Sequence, residues 1–153
     1  MDPRVRAALE RAGWHDERRV DPAKWIGPLE GEGFLFHDLA RSVLARFGGL
    51  RIEPPFSDRG EPLVFDPLHA SSGWVGLADM LVEDYGEIYS PICEWSEQYQ
   101  TYLGETGHVI ALGPGWDWEL GTSVDELFEF AILKSHGLKC IKVRPPATEP
   151  WPP

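Results

Sequence analysis

The chain is poor in cysteine and in the motifs that cysteine and histidine usually build. Only Cys93 and Cys140 occur, 47 positions apart, in no CxxC pair and beside no histidine cluster. That spacing indicates neither a zinc knuckle nor a disulfide framework, and a reduced, cytoplasmic setting is the simplest expectation. The five histidines, at positions 15, 37, 69, 108 and 136, form no HExxH or HxH pair. A metal centre would need ligands converging from distant segments, so no metal or other cofactor is expected. No serine sits in a GxSxG elbow, and Gly113-Pro114-Gly115 lacks both the GKS/T of a phosphate loop and the helix opening of a dinucleotide turn. Acid pairs such as Asp117 and Glu119 are common on solvated strands as well as in glycosidases. A small hydrolase or metal enzyme built from distant His and acid residues is therefore the weaker rival, and the chain is expected not to be an enzyme.

Long apolar runs are absent as well. Met1 to Arg6 carries charge where a signal peptide would be apolar, and charge-free stretches such as Pro67 to Ala78 are too short to span a bilayer. The expectation is a soluble domain with no membrane partner. The length, 153 residues, suits one domain, and 42% hydrophobic with 25% charged residues is the composition of an ordinary globular fold.

The scarcest charge is the positive one. Fourteen Lys and Arg face 25 Asp and Glu, a formal charge of -11, which disfavours direct contact with nucleic acid phosphates. Residues 1–59 are balanced, with 10 basic and 10 acidic side chains, whereas residues 60–133 contain 14 acids and no Lys or Arg. Acids can simply solubilise a surface, but such surfaces usually intersperse signs to gain local pairs. The alternative is a face that steers a basic partner and rejects others.

Local signals divide the chain into helices, then a run of strands, then a closing helix. Pro3 to Ala12 reads as a helix stopped by Gly13, and Asp21-Pro22 opens a second one through Trp25 and Leu29. His37 or Asp38 to Phe47 carries the stripe Leu39, Val43, Leu44 and Phe47, and ends at Gly48-Gly49. Leu50 to Glu53 and Leu63 to Phe65 are strands that pair across a turn at Phe56 to Glu61. Trp74 to Tyr85 repeats at helical spacing and closes at Gly86. Ile88 to Trp95, Gln100 to Leu103 and His108 to Leu112 follow as short strands, the last two a hairpin joined by Glu105-Thr106-Gly107. Trp116 to Leu120 alternates apolar and acidic, which puts its two tryptophans on one face and its two acids on the other. Ser123 and Glu126 form a capping box for a helix with Val124, Leu127, Phe128, Ala131 and Ile132 inward. Leu138 to Val143 is a last strand or a terminal extension, and residues 145–153 are a Pro-rich tail following a single domain over 1–144. The expected fold class is α+β, a mainly antiparallel sheet flanked by helices.

Seven tryptophans are many for this length. Trp14, Trp25 and Trp74, at helix junctions or on an apolar stripe, are expected in the core. Trp116 and Trp118 can equally be core residues or aromatic anchors inside an acidic rim. The candidate partner contacts are therefore Glu94, Glu97, Trp116, Asp117, Trp118 and Glu119.

One set of motifs in order resembles a known group. Ala12-Gly13-Trp14 with Arg18-Arg19-Val20-Asp21, then Leu44 to Leu50 (LARFGGL), Asp66-Pro67, Leu103-Gly104-Glu105 with Gly107-His108-Val109, and Gly121 to Leu127 (GTSVDEL) resemble the SUKH superfamily of bacterial immunity proteins, most of all its third group. The resemblance covers about residues 10–133. It implies a SUKH-like α+β fold, no enzymatic activity, and a role in a polymorphic toxin system, where the protein binds and neutralises a cognate toxin, often a nuclease or nucleic-acid deaminase. The shared motifs are mostly turn and cap residues, and Arg18, Arg19 and Asp21 are expected either to pair locally or to lie at the surface. A regulatory or scaffold module of the same fold class is the main alternative.

Overall fold

A computed structural model describes residues 1–55 and 60–151. Residues 56–59, most of the expected turn between the first two strands, lie outside the described residues, as do 152–153. Three helices come first: α1 (Pro3–Arg11), α2 (Ala23–Gly31) and α3 (Asp38–Phe47). Each starts where a side chain satisfies an unpaired amide. Asp2 accepts from the Arg4 amide at 2.8 Å, Asp21 from that of Ala23 at 3.0 Å, and His37 Nδ1 from that of Ala40 at 3.2 Å. α3 stops at Gly48-Gly49, with Gly49 left-handed at φ +83. Its inner stripe is Ala40, Val43, Leu44 and Phe47, while Leu39, expected inside, is exposed.

Seven strands follow, interrupted by two helices after the second strand and by a helical segment before the last. They are β1 (Arg51–Ile52), β2 (Leu63–Val64), β3 (Tyr89–Trp95), β4 (Tyr99–Gly104), β5 (Val109–Leu112), β6 (Trp116–Gly121) and β7 (Lys139–Val143). They form one antiparallel meander in chain order. The Glu105-Thr106-Gly107 connection closes as expected, with the Gly107 amide donating to the Gly104 carbonyl at 3.0 Å.

The expected helix from Trp74 is shorter and preceded by another. α4 (Pro67–Ser71), capped by Asp66, and α5 (Leu77–Tyr85) are separated by a segment in which Gly73 and Gly76 are left-handed, at φ +91 and +85. A helix cannot propagate through such a residue, so Trp74 falls outside it. α6 (Val124–Phe128) runs into a π-helical turn at Glu129–Leu133. Ser123 caps it as expected, accepting from the Glu126 amide at 3.1 Å, but the Glu126 carboxylate returns to the amide and hydroxyl of Thr122, one residue early for a capping box.

The sheet carries helices on both faces. On one, Tyr102 stacks on Phe34 and shares a hydrogen bond with Ser71 of α4 at 3.1 Å, and Tyr85 of α5 donates to Asp117 of β6 at 2.5 Å. On the other, Phe47 packs on Trp14, Phe65 and Phe128, tying the segment that follows α1 to α3 and α6. The fold is α+β, as the order of elements predicts.

Candidate partner-binding surface

Alternation along β6 sorts the predicted contact residues. Trp116 and Trp118 share a face, their rings stacked with centroids 6.4 Å apart, and Asp117 and Glu119 take the opposite face, where Asp117 meets Tyr85 of α5 and Glu119 meets His108. Neither Asp117 nor Trp118 offers a partner any appreciable surface. Asp117 is 0% exposed and Trp118 3% exposed, because strands on both sides and packed elements above and below enclose them. Trp118 lies edge-on to Trp95 and Tyr99, and Trp95 in turn packs on Phe130. As binding residues, these two are corrected to core residues.

Asp117 is held by a cation from outside the acidic stretch. Arg144 donates to both of its carboxylate oxygens, at 2.8 and 2.6 Å, and to Asp84 of α5 at 2.7 Å. The hydrogen bond to Asp117 is the largest cause of a raised Arg144 pKa, while burial, followed by the Asp117 carboxylate, pushes the Tyr85 phenol up. Lys142 adds a contact to Asp84 at 3.3 Å.

Glu119 is only partly open. His108 Nε2 meets it at 2.8 Å and Lys139 at 3.3 Å, and His108 Nδ1 sits 2.5 Å from the Tyr89 hydroxyl. A His108 tautomer with the proton on Nε2 satisfies both neighbours, donating to Glu119 and accepting from Tyr89. Glu94 is also mostly covered and faces His69 at 3.6 Å. Glu97 alone of the four acids projects well into solvent, on the β3–β4 turn, where Ser96 and Glu97 are both left-handed and Arg51 pairs with Glu97. The six candidates do not form one patch. Glu94, Asp117 and Glu119 share a sheet face but have their own partners within the fold, and Glu97 sits at its end.

Trp116 is covered too. Residues 145–151 fold back as a strap, with Trp116 Nε1 donating to the Glu149 carbonyl at 2.7 Å and Trp118 Nε1 to the Trp151 carbonyl at 3.4 Å. The Trp151 ring packs 5.4 Å from that of Trp116.

What is exposed lies elsewhere. Trp74, expected in the core, is 53% exposed, and its neighbour Val75 is 82% exposed. This pair overhangs a groove of about 650 Å³ between the α4–α5 segment and the ends of β4 and β5, lined by Leu77, Met80, Tyr99 and Leu112 with Asp117 and Arg144 among its polar groups. The bracketing glycines were the available signal, since an apolar pair between two helix-breaking residues need not continue the helical stripe. Among the described residues, no three His, Cys, Asp or Glu side chains converge as metal ligands. No helix there is long and apolar enough to cross a membrane.

A family model described as SUKH-3 immunity protein matches residues 1–133. The chain belongs to the SUKH-3 immunity protein family. No curated protein and no solved structure matches it. The SUKH-3 match takes in the helices and the first six strands, while β7 and the strap, with the cations that hold Asp117, Asp84 and Glu119, lie beyond it. Within the match, Arg18 has a structural post. Rather than pairing with Asp21, it donates to the Arg46 and Gly48 carbonyls at 2.6 and 2.7 Å, closing the C-terminus of α3.

Proposed function

We propose that this protein is the immunity partner of a bacterial polymorphic toxin, and that it acts in the cytoplasm by binding the toxin and occluding its working surface rather than by catalysis. The toxin surface it covers is basic, as on a nuclease or nucleic-acid deaminase. The observation that carries this reading is the charge left over after internal pairing. Of the 14 acids in residues 60–133, Asp84, Glu94, Glu97, Asp117 and Glu119 meet cationic or histidine partners, and the other nine meet none among the described residues. A one-signed surface of that kind speeds encounter with a basic protein and competes with phosphates for the same side chains. Glu97 remains a contact in this reading, being exposed and beside the groove. Glu94, Glu119 and Trp116 are at most peripheral to the contact surface.

The test is co-expression with the toxin domain encoded beside this gene, scored by growth rescue and by co-purification. Rescue with a complex that weakens steeply with salt supports the reading. A well-folded protein that neither rescues nor co-purifies points instead to a scaffold role with another partner.

A further inference from the structure

Trp74 and Val75 are large apolar side chains held out of the fold by design of the backbone, not by loss of packing. Gly73 and Gly76 turn the chain on either side of them through left-handed conformations. The groove they overhang is lined mainly by Leu77, Met80, Tyr99 and Leu112. Exposed apolar anchors beside a concave apolar wall are what a binding hot spot needs.

Charge identifies the occupant. Apart from Arg144, every residue of the groove wall comes from the stretch that contains no Lys or Arg. Arg144 is already neutralised by Asp84 and Asp117. On α5, one and two turns beyond Val75, Asp79 and Glu83 are exposed and meet no cation among the described residues. We infer that the groove receives a protruding segment of the toxin in which an apolar side chain packs against Trp74 and Leu112 while flanking Lys or Arg side chains face Asp79 and Glu83. An acidic segment would meet unpaired carboxylates there, and an uncharged one would leave them unused.

The inference rests on the immunity reading, and one titration series separates the two. Calorimetric titration of the neighbouring toxin domain into wild-type protein is compared with Trp74→Ala/Val75→Ser and with Asp79→Lys/Glu83→Lys, each variant checked for an unchanged melting temperature. Because all four side chains are exposed and neither Asp79 nor Glu83 makes a side-chain hydrogen bond or ion pair among the described residues, the variants should fold normally. The apolar pair is expected to weaken binding by at least about tenfold, and the charge pair to flatten the salt dependence. Wild-type affinity in both variants would overturn the groove while leaving the immunity role standing. No binding by the wild type would remove the immunity reading and the groove assignment with it. A wild-type dimer that Trp74→Ala/Val75→Ser dissolves would assign the groove to a second copy and overturn the toxin as occupant.

Discussion

Arg144 and Asp117, 27 residues apart, meet in a two-pronged ion pair, Nε to Oδ1 at 2.8 Å and Nη2 to Oδ2 at 2.6 Å. The acid belongs to the stretch without basic residues and is fully buried, while the cation comes from the end of β7. A buried carboxylate of this kind depends on its partner, because removing one member leaves an uncompensated charge in a medium of low polarity.

Arg144→Met should therefore lower the unfolding free energy by about 3 kcal/mol or more, leaving Asp117 with the Tyr85 hydroxyl alone. Asp117→Leu in the same chain should restore part of that loss, since no buried charge then remains. Urea denaturation at neutral pH reads both. A loss below about 1 kcal/mol in the single variant would mean that the pair behaves as a surface contact. Charge reversal at Asp117 is a test of folding, not of partner binding.

Stability should also fall in acid. Burial is the largest influence on Glu119 and raises its pKa, but His108 and Lys139 together outweigh it and hold the carboxyl below its ordinary 4.5. At Asp84, burial is again the largest influence, and Arg144 with Lys142 outweighs it and keeps the group below 3.8. A carboxyl depressed in the folded state contributes stability above its unfolded pKa, and this is lost as pH falls through the folded pKa. These two groups should leave stability flat from neutral pH down to about 5 and erode it below about 4.5. Glu119→Gln, denatured at about pH 6 and about pH 3, should show a smaller drop than wild type. An identical drop would remove Glu119 from the explanation.

The strap and the last strand should prove separable. A chain ending at residue 144 loses the Trp151 packing and the carbonyls that accept from Trp116 and Trp118, at a cost of about 1–3 kcal/mol. Its tryptophan emission should shift to the red as Trp116 is uncovered. A chain ending at 138 also loses β7 and every cation that β7 and Arg144 bring to Asp84, Asp117 and Glu119. It should show no cooperative transition on heating. A cooperative transition near the wild-type melting temperature would mean that β7 is an accessory to a sheet complete without it.

The sequence by itself determined the elements whose causes are local. Ser123 caps α6, Asp21 accepts from the first amide of α2, Gly48-Gly49 ends α3, Glu105-Thr106-Gly107 closes a hairpin, and alternation puts Trp116 and Trp118 on one face of β6. Each depends on a few neighbouring residues, and hydrogen-bond geometry and side-chain period are the same wherever the segment lies. Only the tertiary structure decided which apolar and acidic residues reach solvent. Trp74 and Trp118 are equally apolar, yet two left-handed glycines hold one outside and the neighbouring strands, Tyr99 and Trp95 enclose the other. Asp117 and Glu97 carry the same charge, but β7 sets Arg144 beside the first while the second sits on an exposed turn. Burial depends on what distant segments bring alongside, and a chain read one segment at a time contains no record of that meeting.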